Sequence, residues 1–213
     1  MRPSRKGETG PPLQIQLLGT FMIAALILAA GESRRMGSPK ALIPYHGLTF
    51  VEHLLAATRH PRVEVTRVVL GAGADEIRTK LPVKDSQIVV NEEWERGPLS
   101  SFQAGLRSLP DNDVEAALIC PVDHPLVTLR LVGALIGAFD RSGKAIVLPT
   151  YLGRRGHPVL FAKRLFAELM NAPMDVGARA VVRAHPEEIE AVPTEEEGVV
   201  LNLNDPGALQ RLR

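Results

Sequence analysis

Residues 23–40 read IAALILAAGESRRMGSPK, and this stretch decides the fold. Its first part, Ile23–Ala29, is an unbroken apolar run bounded by a glycine, the pattern of a strand buried on both faces. Its second part, Ala29 to Lys40, is a loop of small residues with two arginines and a lysine. Small residues let backbone N–H groups approach an anion closely, and Arg34, Arg35 and Lys40 bring fixed positive charge suited to a triphosphate. The loop is neither G-x-x-x-x-G-K-[ST] nor G-x-G-x-x-G, and the absence of the latter disfavours a nicotinamide-dependent reductase. For Arg34-Arg35 alone, a solvated basic loop is the simpler reading. The whole string behind a buried strand is far more specific.

Outward from this stretch, short apolar runs alternate with amphipathic segments. The spacing predicts helices over 49–58, 74–81, 99–109 and 129–139 and strands over 67–70, 87–90, 116–120 and 145–148. Such alternation predicts one Rossmann-like three-layer α/β domain with a mostly parallel sheet, running from residue 22 to 213. Ligands of such sheets bind beyond the carboxyl ends of the strands. The loops there are 29–40, 71–73 (opened by Gly71), 91–100, 121–126 and 149–158, and they hold most of the glycines and oddly placed charges.

Composition narrows the function. The 213 residues carry 25 Lys+Arg against 24 Asp+Glu, so no charge excess advertises nucleic-acid binding. Aromatics at 4% are too few for a stacking platform. A single cysteine, Cys120, can make neither an internal disulfide nor a thiolate metal cage, and a cytoplasmic setting is the default. Inside its strand it reads as a small buried hydrophobe. Arg2, Arg5 and Lys6 ahead of the apolar run Leu17–Ala30 imitate a signal peptide. The loop that follows argues against export, and the run is shorter than the about 20 residues a membrane span needs. Residues 1–21 are expected to be an extension, either disordered or the product of a misassigned start.

Three further strings carry chemistry. Leu118-Ile119-Cys120-Pro121-Val122-Asp123-His124-Pro125 sets a carboxylate just past a buried strand, suited to holding Mg²⁺ on a triphosphate. Asp123 could equally cap the next helix, although Thr128 is as good a cap; His124 reads as a polar surface residue. Leu201-Asn202-Leu203-Asn204-Asp205-Pro206 offers amide oxygens that can ligate a hard cation weakly, or an Asx turn at a strand end. Gly156-His157-Pro158 stiffens an imidazole-bearing turn beside Arg154 and Arg155, which could meet an acceptor phosphate. His46, His53, His60 and His185 lack zinc-ligand spacing and read as surface residues.

The string L-A-A-G-x-S-x-R-M-G-x-P-K resembles the signature of the MobA-like nucleotidyltransferases, which move a nucleoside monophosphate from an NTP onto a phosphorylated acceptor. The resemblance covers about residues 22–209 and implies a sheet of the nucleotide-diphospho-sugar transferase type. It implies that Ala29, Ala30, Gly31, Ser33 and Arg34 line the phosphates, that Gly71 adjoins the nucleotide, and that Arg35 and Lys40 are catalytic. The Asp-x-Pro string resembles the family's metal motif, which makes Asp123 the main ligand. Where the family often has Asp-x-Asp-x-Pro, this chain has Asn202 and Asn204; the resemblance favours Asn204 over Asp205 as second ligand. Asn91, Gly97, Ser100 and Ser101 match an N-x-x-W-x-x-G-x-x-S-S stretch implied to position nucleobase and acceptor. Gly-His-Pro-Val-Leu-Phe resembles molybdenum cofactor cytidylyltransferases, so His157 and Arg155 would line the acceptor pocket. Ala29-Ala30-Gly31 with Pro39 before the lysine is similar to the cytidylyl rather than the guanylyl branch. The implied substrates are CTP and the molybdenum cofactor, with Mg²⁺ and a molybdenum hydroxylase or its chaperone as partner. Neither nucleic acid nor membrane is implied. The rivals are GTP or another phosphorylated acceptor, as in sugar-1-phosphate or methylerythritol-phosphate transferases, and a non-catalytic cofactor-delivery protein, which the asparagines keep in play.

Overall fold

The computed structural model describes residues 22–33, 36–110, 114–204 and 207–208. The expected extension 1–21 lies outside them. The apolar run forms β1 (Met22–Ala29), whose residues from Ile23 to Ile27 are fully buried. It sits mid-sheet, parallel to β4 (Val63–Leu70) on one side and to β6 (Val114–Pro121) on the other. Beyond β4 lies β5 (Ile88–Val90), also parallel. Beyond β6 come β9 (Val159–Ala162), β7 (Ile146–Tyr151) and β10 (Ile189–Pro193), giving the order β10-β7-β9-β6-β1-β4-β5. Only β9 runs against the rest of this path, antiparallel to both β6 and β7. The remaining strands are the short β8 (Arg154–Arg155), which folds back on β7, and a separate hairpin of β2 (Pro44–Tyr45) with β3 (Leu48–Thr49).

Both faces of the sheet are covered, because its strands are apolar at odd and even positions alike. Ile23 and Ile27 of β1, with Leu118 and Cys120 of β6, face α1 (Phe50–Ala57), α2 (Ala74–Lys80) and α4 (Leu129–Ser142). Leu26 of β1, with Ala117 and Ile119 of β6, faces α3 (Pro98–Arg107), α5 (Phe166–Asn171) and α6 (Arg179–Ala184). A Cβ at Gly105 of α3 would stand 2.9 Å from Leu26 Cδ1, so that glycine sets how closely the helix lies on the sheet.

The ends of the helices are written locally. Thr49 caps α1 in a reciprocal box: its hydroxyl accepts from Glu52 N at 3.3 Å, and the Glu52 carboxylate accepts from Thr49 N at 2.7 Å. Thr128 caps α4 by accepting from Leu131 N at 3.1 Å. That removes the capping alternative for Asp123. The strand expected over 67–70 begins four residues earlier, because Val63, Val65 and Thr66 also pair with β1. The reversed β9 matters most for function. The residues that precede it lie at the same sheet edge as those that follow β6, which brings the Gly-His-Pro turn beside the Asp123 loop.

Candidate active site

The loop after β1 leaves the sheet through Ala29 and Ala30, both 4% exposed, and then opens to solvent. A Cβ at Gly31 would meet nothing within 4 Å, so there is open space over this turn. Ser33 takes a left-handed conformation (φ 58°), its hydroxyl donating to Gly31 O at 3.3 Å and accepting from Lys40 N at 3.0 Å. That single side chain ties the start of the loop to its end and fixes where Lys40 begins. Arg34 and Arg35 lie outside the described residues. Gly71 braces the loop from below. Its Cβ would fall 2.6 Å from Trp94 Cβ and 2.7 Å from Ala30 O, and the neighbouring Ala72 N donates to Ala30 O at 3.0 Å.

Asp123 lies in the turn that follows β6, half-buried, with its carboxylate accepting from Asn202 Nδ2 at 2.8 Å. Its backbone carbonyl accepts from Leu203 N at 2.8 Å, so the segment 202–204 is laid against the Asp123 turn. From the other side the Lys40 ammonium donates to Asn204 Oδ1, joining residues 164 apart in sequence. Lys40, Asp123 and Asn204, expected to act together, are therefore brought together. Asp205 lies outside the described residues.

Asn91, Ser100 and Ser101 are also gathered, but deep in the fold. Asn91 is 3% exposed and donates through Nδ2 to Ser100 Oγ at 2.9 Å and Ser101 Oγ at 3.0 Å. Its Oδ1 accepts from Glu93 N at 3.1 Å. The cluster staples the end of β5 to the first turn of α3, and Gly97 (φ 101°) makes the corner between them.

Where the acceptor is expected, Arg154 and Arg155 are exposed on β8, behind a hairpin turn at Leu152 and Gly153 with φ 48° and 77°. His157 N donates to Val199 O at 2.8 Å. His124, expected at the surface, is instead 7% exposed, its ring packed at a tilt of 48° against that of His157 at a centroid distance of 4.8 Å. The reason is tertiary: the turns at 121–125 and 156–158 and the segment 197–203 converge on it. Burial pushes the His157 imidazole down to about 4, and burial likewise lowers that of His124. Both rings are neutral at neutral pH. Arg179, at the start of α6, is close enough for its charge to act on His157. Sequence reasoning missed it, although an arginine two residues after the turn glycine Gly177 was a signal to follow. Cys120 is 1% exposed and burial pushes its thiol up to about 12, which suits a packing residue and not a nucleophile. Among the other histidines, His46 is exposed and His53, His60 and His185 are half-buried; His185 pairs with Glu168 at 2.7 Å.

The model of the MobA-like NTP transferase domain matches residues 25–189. The chain belongs to that family. It is a nucleotidyltransferase by that membership, and its fold is that of the family's solved relatives. This MobA-like NTP transferase is 29% identical to nicotine blue oxidoreductase of Paenarthrobacter nicotinovorans, over 82% of this chain and 88% of that protein. It is 31% identical to a probable molybdenum cofactor guanylyltransferase of Mycobacterium ulcerans, over 74% of this chain and 76% of that one. The structure of Rv0371c from Mycobacterium tuberculosis H37Rv superposes with a TM-score of 0.79 at 25% identity, covering 90% of this chain and 96% of that one. Rv0371c has also been solved as a complex with manganese, with a TM-score of 0.70 at 22% identity, covering 90% and 97% of the two chains.

The family depends on a divalent metal, and the donor set of this MobA-like NTP transferase can be tested against one. Among the described residues no three His, Cys, Asp or Glu side chains gather into a cage. Asp123 and Asn204 instead offer one carboxylate and one amide oxygen at the mouth of the loop after β1. That set fits a small hard cation which keeps most of its water and takes its remaining ligands from phosphates. Among the described residues no helix is long and apolar enough to cross a membrane.

Proposed function

We propose that the protein transfers CMP from CTP to the phosphate of a molybdopterin-type cofactor, with release of pyrophosphate, in the cytoplasm. An acceptor phosphate oxygen attacks the α-phosphorus in line, the bond to the β-phosphate oxygen breaks, and pyrophosphate leaves. The observation that carries this reading is the convergence of Lys40, Asp123 and Asn204 at the mouth of the loop after β1. Two anions must meet, so neutralising charge and fixing position are the catalytic problem. The amides of residues 30–33, with Lys40 and Arg35, would hold the β- and γ-phosphates and stabilise the charge that develops on pyrophosphate. Asp123 and Asn204 would hold Mg²⁺, which when bound neutralises phosphate charge. Asn91, Ser100 and Ser101 would act through the shape of the loop they staple, against which the nucleobase rests. Arg155, Arg179 and the His157 turn would receive the acceptor. The product cofactor would pass to a molybdenum hydroxylase or its chaperone.

CTP is favoured by Ala29-Ala30-Gly31 and Pro39, which are similar to the cytidylyl branch. GTP is the second reading, favoured by the relatives named guanylyltransferases. The deciding experiment measures pyrophosphate release from CTP and from GTP, with Mg²⁺ and a molybdopterin-type acceptor, on the wild type, Asp123→Ala and Lys40→Ala. The expected result is CTP-selective release, abolished by Asp123→Ala and slowed about 10²–10³-fold by Lys40→Ala, comparable to removing one preorganised donor. Near-native turnover in Lys40→Ala would refute the site. Nucleotide binding without turnover would make the protein a carrier.

A further inference from the structure

The imidazoles of His124 and His157 each bury an Nδ1 that has no hydrogen-bond partner. Each ring is therefore buried at the cost of an unmade hydrogen bond, and that cost has to be offset by the neighbours the ring packs against. Their surroundings show what they join. The Gly198 backbone is close enough to act on the His124 ring, and the ring packs at a tilt of 48° on that of His157. The His157 backbone N–H is held by Val199 O at 2.8 Å, and four residues on, Leu203 N holds Asp123 O at 2.8 Å. There is no slack at this junction. A Cβ at Gly156 would stand 2.4 Å from Val199 O, and one at Gly198 would stand 2.6 Å from Leu126 Cβ.

The geometry points to the His124–His157 ring pair as a positioning joint that locks the Asp123 turn, the Gly156–Pro158 turn and the segment 198–203 into one body. Asp123 and the acceptor turn then move as a unit, and a change on one side is felt on the other. Buried between the three segments, both rings act through what they hold. The inference rests on Asp123 being the metal carboxylate and 156–158 the acceptor turn, as proposed above.

The test is amide hydrogen exchange on the full chain, comparing wild type, His157→Ala, His157→Phe and His124→Ala, with Mn²⁺ titration of the same proteins. Protection reports local opening, and the Leu118 amide, in the middle of β6, serves as the reference. His157→Ala should speed exchange at Leu203, whose partner is Asp123, by about three- to tenfold, the worth of one aromatic pair. His124→Ala should do the same at the His157 amide. His157→Phe, which restores a ring, should return Leu203 to within about twofold of wild type, and Mn²⁺ affinity should follow the same order. Unchanged exchange at Leu203 in His157→Ala would overturn the joint, as would a His157→Phe protein no better protected than the alanine variant. If His157→Ala does not fold, His157→Leu takes its place, filling the volume without a ring plane. Were the wild type to bind no Mn²⁺, the metal reading would fall while the exchange comparison still decided the joint.

Discussion

Replacing Asn204 with Asp converts the oxygen that accepts from Lys40 into a carboxylate without changing the size of the side chain. If Asn204 faces the cation, the added negative charge must show in metal affinity. Two unit charges about 4 Å apart interact by about 1 kcal/mol in water and about 4 kcal/mol at an effective dielectric of 20. Asn204 is half-buried at an open mouth, so the lower figure governs, doubled for a divalent ion. The Lys40 ammonium beside it cancels part of that gain. A net tightening of about 1–2 kcal/mol remains, or roughly 5–30-fold in Mn²⁺ affinity. The assay is titration of the nucleotide-free protein with Mn²⁺, followed by calorimetry or water-proton relaxation. Part of the gain should be lost at high salt, because the site is not sealed. Turnover should not rise in step, because a charged residue 204 holds Lys40 more firmly and withdraws it from the leaving pyrophosphate. Unchanged or weaker Mn²⁺ binding in Asn204→Asp would refute the placement of Asn204 at the metal.

Gly71→Ala should destabilise the fold by about 1–3 kcal/mol in urea denaturation, because its Cβ would collide with Trp94 Cβ at 2.6 Å and Ala30 O at 2.7 Å. Stability should also fall as pH drops from about 6.5 towards the His157 value of about 4. In that window the unfolded chain takes up a proton that the buried ring refuses, so the unfolded state gains; the loss is of order 3 kcal/mol and is complete below about 4. Melting curves across the range for wild type and His157→Phe check this, since the variant should lose most of that slope.

How legible this was depended on the range of the interactions. β1 and β6 could be read because strands buried on both faces need an uninterrupted apolar run, and Ile23–Ala29 and Ala116–Cys120 supply one. The cap at Thr128 could be read because it is made within four residues. β9 could not. Val159–Ala162 is four residues long, and its direction depends on pairing with Ala116–Ile119 and Ile146–Val147 far away in the chain. The same limit explains His124. A polar residue in a proline-flanked turn reads as exposed, and only the arrival of 156–158 and 197–203 buries it. Asn91 and Ser100 stood out in the sequence, yet nothing local shows that their polar groups are spent on one another.

The two asparagines tie the site's electrostatics to the order in which its parts assemble. Asn202 donates to the Asp123 carboxylate, and Asn204 accepts from Lys40, so both amides find partners within the chain. A pair of aspartates there would repel Asp123, and a bare cation would be the natural relief. With amides that repulsion is absent, and the nucleotide-free protein gains less from a cation than it would with aspartates at those positions. On the proposed reading the larger gain would come with a triphosphate in the loop: its oxygens would compete for the Lys40 ammonium and release the Asn204 carbonyl, while its charge would favour a cation that Asp123 could help to hold. The asparagines would thereby weight cation binding towards the nucleotide complex. A chain with a single firm carboxylate can in this way still serve a reaction between two phosphates.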